Sequence, residues 1–407
     1  MYDVNKDKKM KMFMDIDIIK EAIQHSLDKH IDKGILKQMC TPEGRIWLSD
    51  TILRGEYRVA PPHIELQPKD NGEFRKVYAN NDLDRFVLGV INTVYNKLYG
   101  HLIDKNCVSY QKGIGVHNII ERIKKEFLSY GYDINGYKVD LSKYFDSVSK
   151  DVVFEALEEL NTGSPLDEVL YEYYSQDIVF DENENLIEHY KSLAQGCAFG
   201  CFLANYVLRD IDKTIGDMDV IYCRYSDDIL MVGRDADKAL ETLEEMLSTK
   251  GLSLNPKKVE KIDGNHPFTF LGFKIDGQKV TLSDKSLKKF KKEIQKRTKY
   301  KRGRTLRSAT KEINRYLYTA YIKNPTEFGW AEYFFKIINV EEDIIMMDNY
   351  IKDHLKHTVT WKWNHTTNMH KCPQEKLRDN GYVSMHKLWK DYRSNHYIYE
   401  QQVRCMM

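Results

Sequence analysis

The sequence predicts an α+β chain with a split βαβ unit at its centre and a basic, helical region after it. Three observations carry this. Between residues 137 and 275 a short strand, helices, a strand-turn-strand, a helix and a returning strand follow in order. Apolar residues recur at helical spacing on both sides of that block. From Lys285 to Arg307 there are twelve Lys/Arg against one acid, Glu293.

At the start, Ile18, Ile19, Ala22, Ile23, Leu27 and Ile31 form a helical stripe. Pro61 and Pro62 push the chain into extended form, and His63 to Tyr78 reads as a hairpin with Asp70-Asn71-Gly72 at its tip. From Asp82 to about Leu102, Phe86, Val90, Val94 and Leu98 keep one apolar face. Tyr137 to Leu141 is a strand, Lys150 to Leu160 a helix, and Gly196 to Ile211 a helix rich in small residues. Val220 to Val232 is strand-turn-strand. Asp235 to Lys250 is an amphipathic helix on Leu240, Leu243 and Leu247, ended by Gly251. Phe268 to Ile275 returns as a strand. Beyond it Leu287, Phe290 and Ile294 share a face that lysines surround, and Tyr316 to His357 continues at helical periodicity.

Hydrophobic residues make up 42% of the 407 residues, enough for a real core in two or three packed units. The net charge of +1 conceals basic surfaces beside acidic ones, as a protein holding both anionic strands and cations requires. Seven cysteines without a Cys-x-x-Cys pair speak against a disulfide framework or a Cys-rich zinc site. The N-terminus reads as lacking a signal-peptide apolar block and no run approaches a membrane span, so a cytoplasmic protein without membrane contact is expected.

The chemistry starts at Tyr225-Ser226-Asp227-Asp228, between apolar stretches. Adjacent carboxylates on a tight hairpin repel unless a cation neutralises them, and two divalent ions about 4 Å apart are a common answer in phosphoryl transfer. Taken alone, the pair fits an acidic β-turn equally well. Asp140, in Lys138-Val139-Asp140-Leu141-Ser142-Lys143-Tyr144-Phe145-Asp146, adds a carboxylate where a strand ends. Three carboxylates would make a cup of hard oxygen ligands suited to Mg²⁺. Phe145 reads either as a floor under an incoming sugar or as a core aromatic, and Asp146 as a helix N-cap.

These two segments resemble motifs A and C of reverse transcriptases. Leu193-Ala194-Gln195-Gly196 with Leu203-Ala204-Asn205 resembles motif B, Leu254-Asn255-Pro256-Lys257-Lys258 motif D, and Phe270-Leu271-Gly272-Phe273 motif E, the primer grip. Pro68 to Arg75, then Asp84-Arg85, resembles the fingers hairpin, and Ser109-Tyr110-Gln111-Lys112-Gly113 the segment preceding motif A in bacterial enzymes. Seven blocks in order, over roughly residues 50 to 275, make coincidence a poor explanation. Ala194, where the family often has Pro, and Gly200-Cys201, where it has Ser-Pro, depart from the pattern without removing a reacting group.

The resemblance implies a right-hand polymerase: fingers, a ferredoxin-like palm with a YxDD hairpin, a helical thumb and a C-terminal helical extension. The expected divisions are a helical extension over 1–60, fingers and palm over 61–280, a basic thumb over 281–357 and a maturase-like or unassigned extension over 358–407. Asp140, Asp227 and Asp228, with the Leu141 carbonyl, would ligate two Mg²⁺ ions, Mn²⁺ being a substitute. Lys69 and Arg75 would hold the triphosphate, and Gln195 and Gly196 would line the nucleotide pocket. Phe145 would exclude a ribose 2′-OH, favouring dNTPs. Lys258 would protonate pyrophosphate. Phe270, Leu271 and Gly272 would grip the primer, and Lys288, Lys292 and Lys296 would track a nucleic-acid backbone. The partners implied are an RNA template, a dedicated non-coding RNA among the options, together with dNTPs and a DNA product. A second copy of the chain or a partner protein stays open.

Trp361-Lys362-Trp363 and the segments around Gly329 and Met347 resemble group II intron thumb and maturase regions; a basic bundle with structural Trp fits as well. His354-x-x-His357, and His365 with His370 and Cys372, read as packed or solvated side chains in preference to a metal site. Within the bacterial group II-like class, the motif B text favours a stand-alone, defence-associated enzyme. A splicing cofactor of the maturase kind is the alternative.

Overall fold

A computed structural model of the chain describes residues 7–24, 31–69, 72–299, 303–319, 329–363 and 370–405. Leu27, His365 and the hairpin-tip residues Asp70 and Asn71 lie outside the described residues. The chain forms two compact units, Met1–Ile114 with Asn135–Lys261, and Gly115–Ile134 with Ile262–Met407.

The first unit opens with four helices, Lys8–Phe13, Ile16–Ala22, Lys33–Met39 and Pro42–Leu53. Asp7, Asp15, Asp32 and Thr41 cap their N-termini with side-chain oxygens, which satisfies donors that a helix start leaves unpaired. Lys9 is 2% exposed and gives its ammonium to the Leu160 carbonyl (2.7 Å), Tyr95 and Asp167. The central helix, Asp82–Tyr99, buries Phe86 through Ile91 in succession and packs on helix Ala198–Tyr206. A helix apolar nearly all round belongs inside a core.

Seven strands of this unit matter for the site: β1 (His63–Pro68), β2 (Phe74–Ala79), β3 (Asn135–Asp140), β4 (Ile178–Phe180), β5 (Leu186–Glu188), β6 (Val220–Tyr225) and β7 (Asp228–Gly233). One sheet runs β2-β1-β4-β5; the other includes the run β6-β7-β3, both of whose pairings are antiparallel. Helices Lys150–Glu159 and Ala236–Thr249 follow β3 and β7, so the expected split βαβ order is present.

Two expectations need correction. The helix expected over Gly196 to Ile211 is two helices, Ala198–Tyr206 and Arg209–Gly216. Gly196 has φ 107°, outside helical space, and Leu208 interrupts at φ −102°, ψ 5°. The strand expected over Phe268 to Ile275 is a hairpin. Phe268–Phe270 pairs with Phe273–Asp276, and Leu271 (φ 48°) and Gly272 (φ 85°) form the turn.

The second unit holds helix Val116–Tyr130, that hairpin extended by strand Lys279–Leu282, and a helical bundle. Helix Asp284–Thr298 buries Phe290 and Ile294 and exposes most of its lysines. The 20-residue helix Glu341–Thr360 is buried through Ile344, Met347, Ile351 and Leu355. Asp348 is 2% exposed on that helix; it accepts from Ser384 Oγ (2.9 Å), the Met385 amide (2.6 Å) and the Tyr382 hydroxyl, and tethers the C-terminal helices. Trp389 is structural, its indole donating to the Ile338 carbonyl at 3.2 Å. No helix among the described residues is long and apolar enough to cross a membrane.

Candidate active site

The acidic residues converge through strand register. Asp140 pairs with Asp228 across β3 and β7, and Tyr225 with Asp228 across β6 and β7. Only Ser226 and Asp227 remain for the turn, and a two-residue hairpin turn demands positive φ. Ser226 supplies it at 60°. The Leu141 amide donates to the Asp227 carbonyl (3.0 Å), so the end of β3 is bonded to the turn itself.

The Leu254–Lys258 segment is fastened to the same strand end. Leu254 bridges Leu141, the Asn255 amide donates to the Asp140 carbonyl (2.8 Å), and Ser142 donates to the Ser253 carbonyl (2.9 Å). Asn255 caps the short turn Pro256–Lys258, which brings Lys258 Nζ to 2.7 Å from Asp140 Oδ2. Burial pushes the Asp140 carboxyl above its ordinary range, and the Lys258 ammonium opposes that shift. Burial likewise pushes Asp228 up to about 6, with the Lys138 charge pulling down and the Asp140 and Asp227 charges pushing up. Carboxylates that are costly to ionise together attract a cation. As the side chains stand, no three acidic, histidine or cysteine groups among the described residues meet closely enough to enclose a metal ion. The donor set is nonetheless of hard oxygens, and the Lys258 ammonium already occupies a cation position beside Asp140.

The nucleotide-pocket candidates are joined by backbone bonds. The Leu193 amide donates to the Phe145 carbonyl (3.2 Å), Ser192 Oγ to the Val148 carbonyl (2.8 Å), and the Tyr78 amide of β2 to the Gln195 carbonyl (2.7 Å). The loop of Gln195 thus links the helix Tyr144–Ser147 to the strand of Arg75. Gly196 is required there: a Cβ would stand 2.6 Å from Val77 Cγ1 and 3.0 Å from the Tyr78 carbonyl. Gly200 is equally constrained, since a Cβ would stand 2.1 Å from the Leu193 carbonyl. Phe145 is 8% exposed and edge-on to Tyr144. Lys69 and Arg75 sit on the exposed part of hairpin β1–β2, with Lys69 Nζ 3.4 Å from Glu73. Asp84 is instead buried against Tyr57 (2.5 Å), Asn81 and the Ala60 amide.

Phe270, Leu271, Gly272, Lys288, Lys292 and Lys296 all belong to the second unit. Gly272 accepts from the Ser283 amide and Ser286 Oγ, which fixes its turn to the helix that follows. Lys288, Lys292 and Lys296 are exposed along helix Asp284–Thr298.

Sequence reasoning passed over Arg224. It is 0% exposed on β6, paired through Nε (2.7 Å) and Nη2 (2.5 Å) with the buried Asp212. Its Nη1 donates to the Ser226 carbonyl (3.1 Å), at the positive-φ residue of the acidic turn. Tyr222 also donates to Asp212 (2.8 Å), and Cys107 bridges Arg224 from the strand's other side. Asn205 and Ser109 exchange hydrogen bonds, and Tyr110 reaches Ser226 Oγ at 3.3 Å. An arginine in the apolar run Val220-Ile221-Tyr222-Cys223 was the available signal.

Among known proteins, the pattern of the family described as reverse transcriptase (RNA-dependent DNA polymerase) matches residues 67–275, just over half of the chain. The COX1/OXI3 intron 1 protein of Saccharomyces cerevisiae is 21% identical over 175 residues, covering 43% of this chain and 20% of that protein. The Gag-Pro-Pol polyprotein of Simian retrovirus SRV-2 is 37% identical over 99 residues, 23% of this chain and 5% of the polyprotein. The chain thus spans a fifth or less of the length of these curated relatives. Of solved structures, apo telomerase from Candida tropicalis superposes with a TM-score of 0.46 at 13% identity, over 84% of this chain and 68% of that one.

Proposed function

Because this chain belongs to the reverse transcriptase family, with an α+β right-hand polymerase core, we propose that it is an RNA-directed DNA polymerase acting through Asp140, Asp227 and Asp228. The observation that carries the reading is the register pairing of Asp140 with Asp228, with Asp227 bonded to the end of β3 through Leu141. These groups would hold two Mg²⁺ ions, which supply Lewis-acid stabilisation of the transferring phosphoryl group and favour ionisation of the attacking hydroxyl.

The remaining roles fall to the chain itself. A primer 3′-hydroxyl gives up its proton to solvent, its oxygen bonds to the α-phosphorus of a dNTP, and the bond to the β-phosphate breaks so that pyrophosphate leaves. Lys69 and Arg75 bind the triphosphate as charged donors on an exposed hairpin. Lys258 Nζ, beside Asp140, delivers a proton to pyrophosphate. Phe145, held by the Leu193 bond to its carbonyl, closes the pocket against a 2′-OH, and Gln195 and Gly196 complete the wall. Phe270 to Gly272 support the primer, and the exposed lysines of helix Asp284–Thr298 track the duplex.

In the test, purified chain with Mg²⁺, dNTPs and a primed RNA yields DNA. Asp227→Ala with Asp228→Ala removes product while circular dichroism stays unchanged. Extension by the double variant would overturn the assignment.

Two settings differ in their support. The departures at Ala194 and Gly200-Cys201 support a stand-alone bacterial enzyme in phage defence, tested by whether expression lowers phage plating and whether the double Asp variant abolishes the effect. The similarity to an intron protein supports a splicing cofactor, tested by whether the chain accelerates splicing of an intron RNA in vitro.

A further inference from the structure

The second unit carries a contiguous row of aromatic rings. Helix Glu341–Thr360 places Tyr350, His354 and His357 at i, i+4 and i+7, one face of the helix. Tyr350 and His354 have ring centroids 4.5 Å apart. The helix ends at Trp361 in a left-handed conformation, φ 54° and ψ 21°, whose amide donates to the His357 carbonyl. A bulky residue rarely adopts that conformation, and its effect here is specific. It turns the chain back so that Trp363 lies flat on His357 (4.0 Å, 15°) and presents its ring edgewise with His354 (4.8 Å). Trp361 meets His357 at 5.6 Å.

Apolar packing does not account for this arrangement, because Trp363 remains 61% exposed and Trp361 43%. The surroundings are basic. Lys291 Nζ stands 5.4 Å from the Tyr350 ring centroid, and Gln295 donates to the Tyr350 hydroxyl at 2.9 Å. Exposed Lys288 lies on the same stripe of helix Asp284–Thr298 as Lys291 and Gln295, exposed Lys299 caps that helix at its C-terminus, and exposed Lys362 separates the two tryptophans. Asp353 is the acid adjoining His354. Burial pushes His354 down to about 4, so its ring stays neutral within the row.

Exposed aromatic faces bordered by lysines match the chemistry of an unpaired nucleic-acid strand, in which every base offers a π-face and every linkage a charge. We infer that this row is a stacking platform for single-stranded nucleic acid, with bases lying on Trp363 and Trp361 and phosphates running along Lys291, Lys299 and Lys362. A duplex, with its bases already stacked, gains nothing from the tryptophans. The inference goes beyond the polymerase reading, since the platform needs none of the three carboxylates.

The test compares binding of a labelled oligouridine of about 20 nucleotides with binding of a blunt duplex of equal length, by fluorescence anisotropy on the full chain. Trp363→Ala weakens oligouridine binding about tenfold and leaves duplex binding within about twofold. Trp363→Phe recovers most of the loss. Equal losses for both ligands, or oligouridine binding within about twofold of the parent, would overturn the platform. Should Trp363→Ala lose its fold by circular dichroism, tryptophan emission decides. Oligouridine quenches the parent, and in Trp363→Phe the quench shrinks; an unchanged quench rejects the inference. Extension of a pre-annealed primer by the same variants reports on the polymerase reading separately.

Discussion

Hairpin β1–β2 carries Lys69 and Arg75 on strands that are mostly exposed, whereas hairpin β6–β7 carries Asp227 and Asp228 at the end of strands buried almost throughout. The two have similar length and the same antiparallel pairing. What separates them is how deeply their strands are buried and how the acidic turn is held. The acidic turn is held by Leu141, by Tyr110 and, from inside, by Arg224. Beside the tip of the basic hairpin, among the described residues, the Lys69 amide donates to the Glu73 carbonyl and the Gly72 amide to the Lys69 carbonyl. The comparison teaches a division of labour. Groups that hold metal ions need fixed geometry, because catalysis by electrostatic preorganisation tolerates little misplacement. On the proposed reading, the groups that would grasp an entering triphosphate, Lys69 and Arg75, are exposed, and elements with few buried contacts are where proteins keep their movable parts.

The largest break in that comparison comes from Arg224→Ala. It leaves Asp212 as a buried carboxylate that keeps the Tyr222 hydroxyl but loses its counter-charge, and losing one member of such a pair costs about 3–5 kcal/mol. Urea unfolding should show a fall in unfolding free energy of that order, read as a lower midpoint at unchanged slope. Asp212→Ala added to Arg224→Ala removes the stranded charge and should recover part of the stability, while kcat stays depressed because the Ser226 carbonyl still lacks its donor. Recovery of kcat together with stability would show that Arg224 serves packing alone.

A smaller effect tests the loop between the two hairpins. Lys191 is 2% exposed, and burial pushes its ammonium down to about 8 from 10.5. The unfolded chain therefore binds the extra proton between those values, so stability is lower at pH 7 and rises as pH climbs from about 8 to 10.5. Lys191→Met removes the buried charge and keeps the stem length. It should raise stability at pH 7 by on the order of 2 kcal/mol and flatten that alkaline rise. A variant less stable than the parent at pH 7 would mean that the bond from Lys191 to the Gln176 carbonyl outweighs desolvation.

What could be read from residues alone follows the same division. Asp140, Asp227 and Asp228 stand out because carboxylates interrupt apolar strands at their ends, and register then has few ways to place them. The hairpin β1–β2 was legible from Pro62 before it and the Asp-Asn-Gly run within it. Arg224 was not, because one charge in a strand names no partner, and Asp212 lies on a separate helix, Arg209–Gly216. The start of the first helix only at Ala198 was hidden because Gly196 to Ile211 keeps a helical composition; at Gly196 the backbone takes a positive φ in close approach to Val77 and Tyr78, and no local pattern encodes that. The ring row was half legible. Tyr350, His354 and His357 follow helical spacing, but Trp363 joins them only through the left-handed turn at Trp361.

The finest test concerns Arg75, where the comparison predicts almost no structural effect. It faces Gln67 across β1–β2 and is exposed, and substitutions at such positions usually change stability by less than about 0.5 kcal/mol. Arg75→Ala should therefore leave the urea midpoint where it was. The triphosphate loses a charge-assisted donor, so KM for dNTP should rise about tenfold with kcat changed far less. Arg75→Lys keeps the charge without the planar fork and should fall between the two. If Arg75→Ala instead lowered kcat and stability together, the basic hairpin would be as tightly built into the first unit as the acidic one, and the division between a fixed and a movable hairpin would fail at its simpler half.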